Sequence, residues 1–177
     1  MRYFTILFAL AIATLSPASA RAQVAITFYS HDFGTTFPHS FFTVKGRLQR
    51  GGPDIDSNYG YTPKVVETAI LFGGWVGGEI ETSKPGYVAS SRRHFSVVVP
   101  DEKYDALMAL VQKWGARQKG YNLSKQNCVH FVGEAAAIIG LKVNFNNGLI
   151  KRPRSFIDAM MQDNAPWFAS YNGIATR

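Results

Sequence analysis

A single cysteine, Cys128, is the one strong nucleophile candidate in the chain, and four histidines, at 31, 39, 94 and 130, are the candidate bases. A lone thiol cannot close an internal disulfide, so its chemistry is that of a reactive sulfur or of a small core side chain. Asn127 precedes it, and an apolar run, CVHFVGEAAAIIG, follows. Asn is a good helix N-cap, which places Cys128 in the first turn of a helix. The unpaired N–H groups and positive dipole end there favour a thiolate, and the same N–H groups can hold the oxyanion of an acyl-transfer intermediate. The alternative is a thiol that only fills space.

His39 is the preferred base, because it opens a strand just after Pro38 and element ends are where sites gather. His31, in a turn one strand earlier, is the reserve. His130 is badly placed: two residues along a helix is about 200° of rotation, which turns its ring away from Cys128. His94 opens a later strand. If the sheet is a meander, that start lies at the same end as His39, and His94 is a candidate to orient it. Tyr121 and Asn122, on the approach to Cys128, are oxyanion or third-residue candidates, with a packed aromatic and a turn residue as the plain alternatives. Trp75, set in Gly73-Gly74-Trp75-Val76-Gly77-Gly78, is a candidate substrate wall or a core tryptophan. No zinc-ligand spacing is present, and no metal or cofactor is expected.

The elements that must carry these residues follow from local pattern. Residues 24–29 (VAITFY), 39–48 (HSFFTVKGRL), 64–72 (KVVETAILF) and 94–99 (HFSVVV) read as strands. Residues 31–34 read as a turn. Residues 49–63, dense in Gly, Pro, Asp and Asn, read as a loop, and residues 79–91 as loop or weak strand. Pro100 and Asp101 open a helix with Tyr104, Leu107, Met108, Val111 and Trp114 on one stripe. The helix over 128–139 is apolar nearly all round, which predicts burial, and Gly140 sits where a left-handed cap belongs. A short helix over 155–162 closes the series. Strands first and helices after predict an α+β fold, with an antiparallel sheet packed against a central buried helix that carries the cysteine at its N-terminus.

Residues 1–22 have the form of an export signal: Arg2, an apolar stretch from Phe4 to Leu15, a break at Ser16-Pro17, and small residues ending at Ala22, the expected cleavage point. The stretch is short of the roughly 20 apolar residues that span a bilayer, so no stable membrane insertion is expected after cleavage. Residues 23–177 then form a single domain, periplasmic or secreted. Without Arg2 and Arg21 it holds 17 Lys and Arg against 12 Asp and Glu, a net charge of +5. The cations are scattered and not interleaved with aromatics, so no nucleic acid partner is expected.

The segment Tyr121-Asn122-Leu123 … Asn127-Cys128-Val129-His130-Phe131-Val132 resembles the nucleophile motif of circularly permuted papain-like proteins, the group that includes permuted NlpC/P60-type and lecithin–retinol acyltransferase-like proteins. In that group a strand histidine precedes the cysteine, as His39 precedes Cys128 here. The resemblance covers residues 121–141 well and 25–160 loosely. It implies a thiol hydrolase with Cys128 as nucleophile and His39 as base. For an exported enzyme it implies an amidase or peptidase acting on the peptides of peptidoglycan. The chain departs from the acyltransferase-like pattern at Val129, where those proteins carry Glu, and it lacks a second histidine soon after the first. A lipid or thioester acyl hydrolase using the same dyad is therefore the second reading, and a non-catalytic binding module on the same fold the third. A cognate inhibitor protein would be an unknown partner.

Overall fold

The computed structural model describes residues 23–32, 37–117, 120–146 and 148–171. The export signal over 1–22, and Phe33 and Gly34 of the expected turn, lie outside the described residues.

Five strands form one antiparallel sheet in the order β4-β3-β2-β1-β5: β1 (Val24–His31), β2 (His39–Gly46), β3 (Ile55–Pro63), β4 (Gly78–Glu81) and β5 (Arg92–Val99). Alternation assigns the faces, since successive side chains of a strand point to opposite sides. Ile26 and Phe28 of β1 sit opposite Val44 and Phe42 of β2, and Phe28 stacks on Phe95 of β5 with ring centres 4.6 Å apart. All are buried, and Phe42 meets Phe131 of the central helix α4 (Cys128–Ile139) at 5.4 Å. That face is therefore the core. α3 (Asp101–Gly115) closes one side of it, with Trp114 against both Tyr61 and Phe131. α5 (Pro153–Asp163) closes the other through Phe156, Ile157 and Met160, and a short α6 (Ala165–Ser170) follows. The expected α+β fold, an antiparallel sheet against a buried helix headed by Cys128, is the observed one.

Two expectations fail. Residues 49–63 are not all loop: Ile55–Pro63 form β3, in register with β2 from Phe41↔Gly60 to Gly46↔Ile55. Polar and Gly residues are poor strand formers alone, but Tyr59 and Tyr61 supply the inward alternation and pairing with β2 decides the outcome. Residues 64–72 are not a strand. They form a turn and the four-residue α1 (Thr68–Leu71), with Val65, Val66, Leu71 and Phe72 exposed. Their β-branched residues find no partner, because β4 takes the edge position beside β3. Residues 79–91 hold the end of β4 and a short α2 (Pro85–Ser90).

Candidate active site

The head of α4 is held by Asn127. Its Oδ1 accepts the N–H groups of Val129 at 3.0 Å and His130 at 3.2 Å, and its Nδ2 donates to the carbonyls of Leu123 at 2.6 Å and Ile150 at 2.9 Å. One buried side chain thus caps the helix and ties it to two loops. At the far end Gly140, at φ 110°, supplies the left-handed cap that a residue with a Cβ rarely adopts. His130 is turned from the cysteine as expected. Its Nδ1 lies 2.8 Å from Asn127 Oδ1 and its ring stacks on Phe145.

Cys128 is 2% exposed. Its sulfur is surrounded by the Ser40 hydroxyl and backbone N–H, the Tyr121 phenol and the Val129 N–H, each of which favours a thiolate. Burial outweighs them and pushes the thiol above its ordinary value. The acidic sulfur expected of a helix N-terminus is therefore not found in this arrangement: the dipole is present, but the thiolate has lost its water. Ser40 Oγ is fully buried and has no hydrogen-bond partner among the described residues, so the sulfur is the polar group it faces without the alignment of a full bond. Tyr121 is buried over the same sulfur. Its phenol oxygen also takes the Cys128 backbone N–H, and burial followed by the nearby sulfur pushes its pKa far above the usual phenol range. Tyr121 thus covers both the sulfur and the N–H group at the head of α4.

His39 and Cys128 are not brought together. Ser40, Phe42 and Val44 turn toward α4, so His39 and Phe41 turn to the other face of the sheet. The His39 ring stacks over Phe41 and folds across Gly60, where a Cβ would come within 2.3 Å of Nε2. Only glycine leaves room for it. Burial, with His31 as a second cause, lowers the His39 pKa to about 4, so the ring is neutral at ordinary pH. His31 pairs with His39 across β1 and β2, lies 3.1 Å from Ser91 Oγ through Nδ1, and stacks on Tyr87.

His94 faces the core, at a bulge in β5. Its Nε2 lies 2.8 Å from Ser30 Oγ and its Nδ1 3.0 Å from Asp158 Oδ1. Both ring nitrogens are engaged on the α4 side, so His94 does not orient His39. Burial lowers its pKa although Asp158 opposes the shift. Asn122 has no group left for an oxyanion. Its Nδ2 donates to Gly73 O at 2.8 Å and Gly74 O at 3.1 Å, and its Oδ1 accepts the N–H groups of Ser124 and Lys125. Trp75 is exposed, next in sequence to the Gly73 and Gly74 carbonyls that Asn122 holds.

A cleft of about 990 Å³ wraps the end of the sheet where β2 starts and β3 ends. Phe37, His39, Val66, Leu71, Tyr121 and Lys151 are among its walls, so it links the face carrying His39 to the phenol that covers Cys128. Among the described residues no group of side chains is arranged to hold a metal ion. Ser40 and Asp158 are the site residues that sequence reading missed. Ser40 was legible by strand parity from Phe42 and Val44, whereas Asp158 carried no signal beyond being a polar residue beside buried Ile157.

No family model matches the chain, and no curated protein matches it. A solved structure, that of the type VI secretion system effector TseH, is similar to it with a TM-score of 0.49 and 13% identity, covering 81% of this chain and 90% of that one.

Proposed function

We propose that the chain is an exported cysteine hydrolase that forms an acyl-enzyme at Cys128 and cuts amide bonds in cell-wall peptides. The observation that carries this reading is the meeting of sulfur, helix N-terminal N–H and a covering phenol beside a roomy cleft. The described arrangement is a closed one. Substrate entry displaces the Tyr121 phenol, and the carbonyl oxygen takes its place on the Cys128 N–H. The thiol proton passes to a neutral imidazole, the thiolate attacks the carbonyl carbon, and the leaving amine takes the proton back. Water then releases the acid and restores the thiol. His39 is the imidazole on the cleft wall and is assigned the proton transfer. As the first residue of β2 it stands at the strand end, and it must leave Gly60 to reach the sulfur.

The test is release of free amine from peptidoglycan by purified residues 23–177, abolished in Cys128→Ala and reduced in His39→Gln. Release undiminished by Cys128→Ala ends the hydrolase reading. Loss in His94→Gln but not in His39→Gln moves the base to the imidazole that Asp158 orients. The apolar walls of the cleft favour a second substrate class, an ester or thioester acyl group, and mass spectrometry of Cys128 after exposure to lipids or to wall peptides tells which is carried. The separation of His39 from a raised thiol favours a third reading, a binding module with an ordinary cysteine. It predicts slow alkylation by iodoacetamide at neutral pH under every condition.

A further inference from the structure

The core face of β1, β2 and β5 is apolar along most of its length, with Phe28, Phe42 and Phe95 at its centre. At the end nearest Cys128 it is crossed by a polar line: Ser40 of β2, Ser30 of β1 and His94 of β5. Ser30 and Ser40 are paired directly across the two strands, and both are 0% exposed. Opposed side chains of such a pair have Cβ atoms about 5 Å apart, within reach of two hydroxyls. His94 enters through the bulge. Phe28 pairs with Phe95 and Tyr29 with Arg93, so His94 is the extra residue, re-aimed at the core as bulges allow. The line ends on α5 at Asp158, whose side chain is 39% exposed. The direction of the hydrogen bonds follows from that end. A carboxylate only accepts, so His94 Nδ1 carries the proton and Nε2 is the acceptor. Ser30 then donates to Nε2 across 2.8 Å, and its lone pairs are left for the next hydroxyl. Ser40 is that neighbour. Its Oγ is buried without a hydrogen-bond partner among the described residues, and it faces the sulfur on its other side. Rotation about one Cα–Cβ bond turns it between Ser30 and Cys128.

We propose that Ser40, Ser30 and His94 form a proton relay that draws the Cys128 proton to the core side of the sheet, with Ser40 as its movable link and Asp158 holding His94 in the accepting tautomer. The Cys128 thiol gives its proton to Ser40 Oγ, the Ser40 hydroxyl proton passes to Ser30 Oγ, and the Ser30 hydroxyl proton passes to His94 Nε2. Each serine gains one proton as it loses another. The net change is one S–H bond broken and one N–H bond formed, which leaves a thiolate and an imidazolium beside Asp158. The Ser40 O–H then points back at the thiolate as its hydrogen-bond donor. Ser40 touches the reacting sulfur, whereas Ser30, His94 and Asp158 act through it and are positioning residues. The other charges at His94 are Arg92 of its own strand and Arg154 of α5, which oppose the imidazolium that Asp158 favours. The groups facing the sulfur besides Ser40 are the Tyr121 phenol and the Val129 N–H. The relay rests on the reading of Cys128 as a nucleophile. It adds a proton route to that of His39, which must first leave Gly60.

The experiment uses residues 23–177 carrying Tyr121→Ala, which opens the sulfur to iodoacetamide, and follows the rate of capture from about pH 5.5 to about pH 10. Adding Ser30→Ala, Ser40→Ala or His94→Gln should slow capture about tenfold between about pH 6 and about pH 8. The curves should converge toward about pH 10, where hydroxide takes the thiol proton directly. Asp158→Asn, which keeps the shape and loses the carboxylate, should show the same pH-dependent loss. A merely structural role would change the rate by one factor at every pH. Profiles that superimpose on that of Tyr121→Ala, or that are displaced equally throughout, overturn the relay. Ser30→Ala and Ser40→Ala each remove one oxygen from the core, so they decide the matter should His94→Gln fail to fold. Capture needs no substrate, so a failed peptidoglycan assay leaves its result standing. Amine release that needs Cys128 yet is undiminished in Ser30→Ala and His94→Gln overturns the relay and leaves the hydrolase reading intact.

Discussion

At the scale of single residues the site is a thiol kept neutral by burial and shielded by one phenol. Removing that phenol tests the arrangement: Tyr121→Ala should speed iodoacetamide capture of Cys128 at pH 7 by about tenfold or more, because it opens a path to the sulfur. An unchanged rate would mean that something else covers it. His39 makes a second prediction. Its folded pKa is lowered to about 4 from 6.5. Between those values the unfolded chain binds a proton that the folded one refuses, so stability is whole above pH 6.5 and is lost as pH falls toward 4, by up to about 3 kcal/mol. His94 and His130, also lowered by burial, act in the same sense. Urea midpoints measured from pH 7 down to about pH 4.5 should fall, and His39→Gln should flatten the slope. Cys128 at a helix head was legible in the sequence. The face of His39 was legible too, had parity been counted from Phe42 and Val44: what points Phe42 at α4 points His39 away from it. The depth of Cys128 was not legible, because it depends on Ser40 arriving from a distant strand and on Tyr121 folding back over the helix head.

At the scale of elements, Asn127 holds more than a usual cap does, since its amide serves both the first turn of α4 and the carbonyls of Leu123 and Ile150. Asn127→Ala should cost about 2 kcal/mol or more in a denaturant titration, above the ordinary loss of a cap. A cost within a few tenths would show the cap to be dispensable. α3 and α4 were readable because their apolar periodicity and caps agree with their burial. β3 and α1 exchanged places with the expected loop and strand because neither segment's composition determined its pairing. Ile55–Pro63 became a strand through its register with β2, and Val65 and Val66 stayed outside because β4 filled the edge. Gly60 is a handle on this layer. A Cβ there would strike the His39 ring, so Gly60→Ala should drive the imidazole off its perch and move its pKa from about 4 back toward 6.5, a shift readable by NMR titration. An unmoved titration would place the ring elsewhere.

At the scale of the whole molecule, one sheet separates a buried core carrying the thiol from an outer face carrying two histidines, and the cleft around its end is where the two meet. That geometry explains why residue types and spacing alone made the pair look closer than it is. The start of β2, the middle strand, brings His39 and Cys128 to one end of the sheet but on opposite sides of it. If the chain works as proposed, the described state is one that substrate must open. The most direct test is the intact mass of the mature protein after brief incubation with peptidoglycan peptides and an acid quench. The account predicts a covalent acyl adduct that maps to Cys128 and is missing from Cys128→Ala. Peptide turnover with no adduct, and with Cys128→Ala as active as the parent, would contradict it.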